Sequence, residues 1–198
     1  MKYNFFRKLE LNPSMVWKVL RYIKMVGISR TLSKINGTYH LKAHLGFSGN
    51  YWDNSKRNPA SKKSSVAIIG CGYFAYANIA YFLRKENKHF LRCTMDSDNA
   101  RARSLCSKYN GDYSSSDLQI ILDDPQVKIV YICTKHSFHA DYAIKCIEAG
   151  KDVHIEKPHV INYEQLEKLS QAIKNHGNVK VFLGFNRPKS RLFKKLCS

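Results

Sequence analysis

The chain has 198 residues and carries 33 Lys and Arg against 15 Asp and Glu, a formal net charge of +18. With 44% hydrophobic, 12% aromatic and 24% charged residues it is too apolar for a disordered chain, and it has no collagen-like or low-complexity bias. Its length suits one globular domain plus an extension and is short for an enzyme with separate cofactor and substrate lobes.

Residues 1–64 hold 13 Lys and Arg against only Glu10 and Asp53, a net of +11, so the basic excess is concentrated in the first third. Asn12-Pro13 reads as a cap followed by a first-turn proline. Val16, Val19, Leu20, Ile23 and Val26 then recur at helical spacing opposite Lys18, Arg21 and Lys24, and Gly27 ends or bends that helix. A second short helical piece is expected around Leu32 and Ile35, before Gly46, Gly49, Asn50, Asn54, Asn58 and Pro59 break the pattern, and the stretch to Lys63 reads as a linker. Such an arm suits a solvated helix docked on its neighbour. It also suits an anionic membrane surface or nucleic-acid phosphates, although nothing in it matches a base-reading module.

From Ser65 strands and helices alternate. Ser65 to Ile69 is a β-rich run ending in Gly70, and Tyr73 to Glu86 reads as a helix. Phe90 to Met95 is a second strand, Asn99 caps a helix to about Lys108, and Asn110-Gly111 closes it. Ser116-Asp117 opens a helix through Leu122, Val127 to Cys133 is a third strand, and His139 to Ala149 is an amphipathic helix stopped by Gly150. Val153 to Glu156, a helix from Tyr163 to Asn175 capped by Asn162, and Val179 to Gly184 complete the run. Strands separated by helices of this length cannot pair as hairpins, which predicts a doubly wound, mostly parallel sheet covered on both faces.

Gly70-Cys71-Gly72-Tyr73-Phe74-Ala75 matches G-x-G-x-x-A between the first strand and the first helix. The first glycine permits the turn, the second leaves room for a pyrophosphate, and the small third residue lets helix and strand approach. An anion here would meet free backbone N–H groups and the positive end of the helix dipole. Gly70, Gly72, Tyr73, Phe74 and Ala75 are therefore candidates for dinucleotide binding. Asp96, 26 positions after Gly70 at the carboxyl end of the second strand, can accept hydrogen bonds from the adenosine ribose and would repel a 2′-phosphate, which favours NAD. Arg101 and Arg103 could neutralise such a phosphate, and so leave NADP open.

Three further segments fall beyond strand carboxyl ends: Thr134-Lys135-His136-Ser137-Phe138-His139, Glu156-Lys157-Pro158, and Gly184-Phe185-Asn186-Arg187. Together with Ala149-Gly150-Lys151-Asp152-Val153-His154-Ile155-Glu156-Lys157-Pro158 they resemble the Gfo/Idh/MocA family of nicotinamide-dependent oxidoreductases, over Ser65 to about Arg191. The decapeptide is similar to that family's A-G-K-x-V-x-x-E-K-P, the first segment to its T-P-x-x-x-H, with Lys135 in place of proline, and the last to its G-x-x-R.

With the residue pattern this gives a doubly wound, mostly parallel Rossmann sheet preceded by a basic helical N-terminal extension, and the resemblance implies hydride exchange between a nicotinamide and a CH–OH carbon of a sugar, cyclitol or related substrate. It implies Thr134, His136, His139, Glu156, Lys157 and Arg187 as further cofactor-binding positions and Lys157 as the catalytic residue. Partial burial and a neighbouring NAD⁺ charge would lower the lysine pKa, suiting it as acid/base partner or as donor to the reacting oxygen. Glu156 would orient the turn. His139 would contact ribose or cap backbone groups.

The spacing Cys133, His136, His139 suggests no metal site, since strand end, loop and helix start need not converge and no carboxylate completes a tetrahedral set. Six cysteines, at 71, 93, 106, 133, 146 and 197, form no C-x-x-C pair and are expected as reduced thiols. No apolar run approaches the ~20 residues of a membrane span and no signal core is present, so a cytoplasmic location is expected.

In that family a substrate domain of comparable size, with a catalytic Asp and His, follows the cofactor domain. The expected organisation is an extension and linker at 1–63, a dinucleotide-binding domain at 64–185 and a stub of a substrate domain at 186–198. Alone, such a chain would be a fragment with weak or no turnover, or a cofactor-binding remnant that works with a partner chain or as a homo-oligomer. The alternative is a non-catalytic NAD-binding interaction module tethered by its basic arm.

Overall fold

The structure is a computed structural model, and it describes residues 13–40, 51–53 and 64–185. Asn12, Gly46, Gly49, Asn54, Arg187 and the expected stub at 186–198 lie outside the described residues.

Seven strands form one sheet: β1 (Tyr51–Asp53), β2 (Val66–Ile69), β3 (Leu91–Met95), β4 (Tyr113–Ser115), β5 (Ile129–Ile132), β6 (Asp152–Ile155) and β7 (Val181–Leu183). Their order across the sheet is β1-β4-β3-β2-β5-β6-β7. β2 to β7 are parallel, and β1 pairs antiparallel with β4 through Tyr51↔Ser115 and Asp53↔Tyr113. The chain winds outward from β2 through β3 to β4, then returns to place β5 on the other side of β2. That reversal opens a crevice at the carboxyl ends of β2 and β5.

The helices are α1 (Pro13–Val26), α2 (Ile28–His40), α3 (Ala80–Glu86), α4 (Asn99–Tyr109), α5 (Gln119–Asp123), α6 (His139–Glu148) and α7 (Tyr163–Asn175). Alternation along β2 sends Ala67 and Ile69 to one face, with Ile132, Ile147, Ile155 and Leu169, and Val66 and Ile68 to the other, with Tyr76, Leu91, Leu105 and Tyr109. Each fully buried Ile or Leu contributes about 1.5–3 kcal/mol, so burial on both faces is the main reason this segment is a strand.

Several elements differ from the sequence expectation. The helix expected from Tyr73 is π-helical over Ala75–Ile79 before it becomes α3. Asp98, not Asn99, caps α4: its carboxylate accepts from the amides of Ala100 and Arg101, because Asn99 is already in the first turn. β4 is an unexpected strand of three residues, two of them serine. β1 lies in the stretch read as linker. α2 is a full helix of 13 residues and not a short piece. Gly27, at φ +84, separates α1 from α2, and Asn162 caps α7 by accepting from the Gln165 amide.

The amino ends of the strands are closed by a buried ionic network. Arg92 donates to Asp112 at 3.0 Å and to Asp124 at 2.8 Å. Ser64 also donates to Asp112, and Tyr113 to Asp124, while Lys151 donates to the Asp124 carbonyl. Burial opposes the Asp124 charge, but the Arg92 guanidinium, the Gln126 amide and the Tyr113 hydroxyl together hold its carboxyl below the usual range.

Candidate dinucleotide site

At the opposite, carboxyl, end the first glycine turn meets the β5 loop. Gly70 has φ +87, and a Cβ there would lie 2.6 Å from the Cys133 carbonyl carbon and the Thr134 nitrogen. Only glycine satisfies both the left-handed backbone and that approach. Gly72 is different: a Cβ built on it meets no atom within 4 Å. The fold therefore does not require glycine at 72, and the space beside it is part of the cleft.

That cleft has a volume of about 390 Å³ and is lined by Gly70, Gly72, Met95, Asp96, Ser97, Arg101, Cys133, Thr134, Lys135, Phe138 and Tyr142. Asp96 sits at its edge with one carboxylate oxygen accepting from the Cys71 amide at 2.7 Å and the other from the Asp98 amide at 2.9 Å. The latter, Oδ1, also accepts at 3.5 Å from the Ser97 hydroxyl, and Oδ2 keeps a lone pair that can accept a ligand hydroxyl. A bare backbone at Gly72, an open volume and a fixed acid beyond the second parallel strand are what a nucleotide diphosphate and its ribose require, so these residues fit a dinucleotide. Arg101 is paired to Asp98 at 3.1 Å and also borders the cleft.

The remaining candidate residues fall in different places. Thr134 lines the cleft, and His136 is exposed on a 3-10 turn (His136–Phe138) beside it. His139 is only 1% exposed, with Nδ1 2.7 Å from the Pro158 carbonyl oxygen and Nε2 3.0 Å from that of Thr134. It ties the two crevice loops together and does not reach into the cleft. A neutral ring donates to one of the two carbonyls, a doubly protonated ring to both.

Ala75 is fully buried in the helix–strand contact. The Tyr73 ring lies against α2, 3.2 Å from a Cβ built on Gly37. Phe74 and Glu156 face a second hollow of about 400 Å³, which Tyr131 and His154 also line. There Glu156 approaches His154 Nε2 at 3.4 Å. Lys157 is exposed and precedes a cis Lys157-Pro158 bond.

Phe138 belongs to the crevice segment expected after β5, whereas Tyr142 and Ser97 join the cleft without being singled out in the sequence, because the orientation of their helix and turn is set by tertiary packing. Among the described residues no cluster of three His, Cys, Asp or Glu side chains could hold a metal ion, and the five described cysteines are unpaired. Burial pushes the Cys71, Cys93 and Cys133 thiols well above their ordinary range, which disfavours thiolates. Among the described residues no helix is long and apolar enough to cross a membrane.

Sheet order, switch-point crevice and glycine turn define a dinucleotide-binding α/β domain. The chain belongs to the Gfo/Idh/MocA family, described as "Oxidoreductase family, NAD-binding Rossmann fold", which matches residues 64–185. It is 26% identical over 136 residues to the uncharacterized oxidoreductase YrbE of Bacillus subtilis, covering 69% of this chain and 39% of that protein. It is 29% identical over 131 residues to myo-inositol 2-dehydrogenase of Thermotoga maritima, covering 66% and 39% respectively. The crystal structure of an NAD binding oxidoreductase from Klebsiella pneumoniae superposes with a TM-score of 0.56 at 27% identity, over 68% of this chain and 37% of that one. The chain thus spans about two fifths of the length of the relatives it matches.

Proposed function

We propose that this chain is the cofactor-binding part of an oxidoreductase that acts on CH–OH groups of a sugar, cyclitol or related substrate, with NAD preferred to NADP. The observation that carries the reading is Gly72, which no protein atom constrains and which opens onto the cleft beside Asp96. Bound there, the coenzyme would supply hydride acceptor or donor chemistry.

The residues of this chain bind and orient. The turn amides meet the diphosphate, Asp96 accepts ribose hydroxyls and disfavours a 2′-phosphate, and Thr134 borders the far side of the cleft. Lys157, exposed at the end of β6, is the candidate proton carrier or donor to the reacting oxygen once a substrate domain is supplied. The test is fluorescence titration with NADH and NADPH on wild type and Asp96→Ala. Tighter NADH binding by wild type, with the preference lost in the variant, is expected. Tighter NADPH binding by wild type would reverse the preference, and no saturable binding of either would end the reading.

One observation favours a second reading, a non-catalytic dinucleotide-binding module held on an anionic surface. α1 exposes Trp17, Leu20 and Met25 beside Lys18, Arg21 and Lys24. Co-sedimentation with phosphatidylserine vesicles at low and high salt separates the two readings, since binding lost at high salt is expected only for the module.

A further inference from the structure

We propose that the N-terminal extension braces the dinucleotide turn, and that His40 is a positioning residue which holds Cys71 between the two glycines. The ligand in this inference rests on the functional reading above, but the geometry does not.

α2 grips the turn and the helix behind it at three points. Arg30 donates to the Ala77 carbonyl and to the Asn78 side-chain oxygen, both in the π-helical segment where the regular i→i+4 ladder is interrupted. Gly37 lets the two backbones close up: a Cβ there would be 3.0 Å from the Ala77 Cβ. His40, the last residue of α2 and only 3% exposed, reaches the turn itself.

The His40 ring stacks on Tyr76 with centroids 4.3 Å apart. Its Nε2 is 2.7 Å from the Cys71 carbonyl oxygen and its Nδ1 2.7 Å from Ser104 Oγ. A carbonyl only accepts, so Nε2 donates to it and Nδ1 accepts from the serine hydroxyl. Burial lowers the His40 pKa and Arg101 works in the same direction, while the Cys71 carbonyl, Asp96 and Asp98 oppose it; the neutral ring matches both bonds.

The Cys71 peptide is therefore held at both ends, its carbonyl by His40 and its N–H by the Asp96 carboxylate. The sequence Ser104, His40, Cys71, Asp96 is one hydrogen-bonded chain that ends on the acid facing the ribose position. His40 lies outside residues 64–185, the span the family match covers, so this support comes from the chain's own extension.

The test compares His40→Phe, which keeps the stacking ring and loses both bonds, with His40→Gln, whose amide can still donate to Cys71. Each full-length variant is titrated with NADH, and exchange of the Cys71 amide is followed by NMR without coenzyme. His40→Phe is expected to weaken NADH binding about fivefold, as loss of the one buried hydrogen bond that reaches the turn does, and to speed Cys71 exchange, while His40→Gln stays within about twofold of wild type.

Wild-type affinity and exchange in His40→Phe would overturn the brace and leave the cofactor reading intact, as would equal losses in both variants. If wild type takes up no nicotinamide coenzyme, yet Cys71 exchange still depends on His40, the cofactor reading falls and the brace stands. Should His40→Phe fail to fold, Ser104→Ala decides: faster Cys71 exchange supports the brace, and unchanged exchange overturns it.

Discussion

The two ends of the sheet are built on opposite principles. At the amino ends, Arg92, Asp112, Asp124, Ser64 and Tyr113 satisfy one another, and few of their polar atoms face solvent. At the carboxyl ends, the backbone of the glycine turn, Asp96 and Thr134 border an open cleft. One end holds the strands in register, and the other leaves its groups bordering the cleft that we propose takes the coenzyme. Changes at the amino end should therefore alter stability with little effect on binding, and changes at the carboxyl end should separate the two in ways that depend on the residue.

The largest effect is expected from Arg92→Met. Removing the cation leaves the charge of Asp112, only 2% exposed, with the Ser64 hydroxyl but without its counter-ion and takes a partner from Asp124, and loss of one member of a buried pair costs about 3–5 kcal/mol. Urea denaturation should show that loss, while the folded fraction binds NADH within about twofold of wild type. A parallel fall in affinity would show that the two ends are coupled.

Gly70→Ala comes next. It forces a methyl group to within 2.6 Å of the β5 loop backbone at a φ of +87, strain of about 1–3 kcal/mol before any clash is relieved. Both the denaturation midpoint and NADH affinity should drop, and a variant as stable as wild type would contradict the close approach.

The same contrast explains what the sequence made legible. The carboxyl end is local: Gly70, Gly72 and Asp96 fall at fixed offsets from two β-rich runs, and their meeting at one cleft follows from position along the chain. Helix boundaries set by local chemistry, such as Asn162 before α7 and Gly150 after α6, were legible for the same reason. The amino-end network joins Ser64, Arg92, Asp112 and Asp124, residues far apart in sequence whose meeting depends on the finished sheet.

β4 was hidden because Ser114 and Ser115 carry no β-rich signal, yet both are fully buried between β3 and β1. That the arm docks on its neighbour was legible as one reading, but the face α2 uses was not, because it includes Ser33, Gly37 and His40, small or polar residues that resemble a solvent face. Its large apolar residues Ile28, Leu32 and Tyr39 stay exposed, and Ile28 and Leu32 border an open hollow beside Tyr81 and Tyr109 instead of entering a packed core.

Gly72→Val sharpens the comparison within a single turn. No protein atom lies within 4 Å of the new Cβ, so stability should stay within about 1 kcal/mol of wild type. The branched side chain would project into the cleft, and NADH affinity should fall more than about tenfold, or ~1.4 kcal/mol. Unaltered binding would place the diphosphate elsewhere.

The smallest effect concerns pH. His40 has a folded pKa below its unfolded value of about 6.5, so the unfolded chain takes up the proton first. Its contribution is complete above that value and is lost as pH falls through and below it. Burial lowers His159 in the same direction, whereas Asp124 acts only near the acidic carboxylate range, so the informative quantity is a difference. Between pH 7.5 and 5.5, wild type should lose more stability than His40→Phe. Equal slopes would mean that the His40 ring accepts its second proton at no cost, and that the buried contact with the Cys71 carbonyl and Ser104 does not select the neutral form.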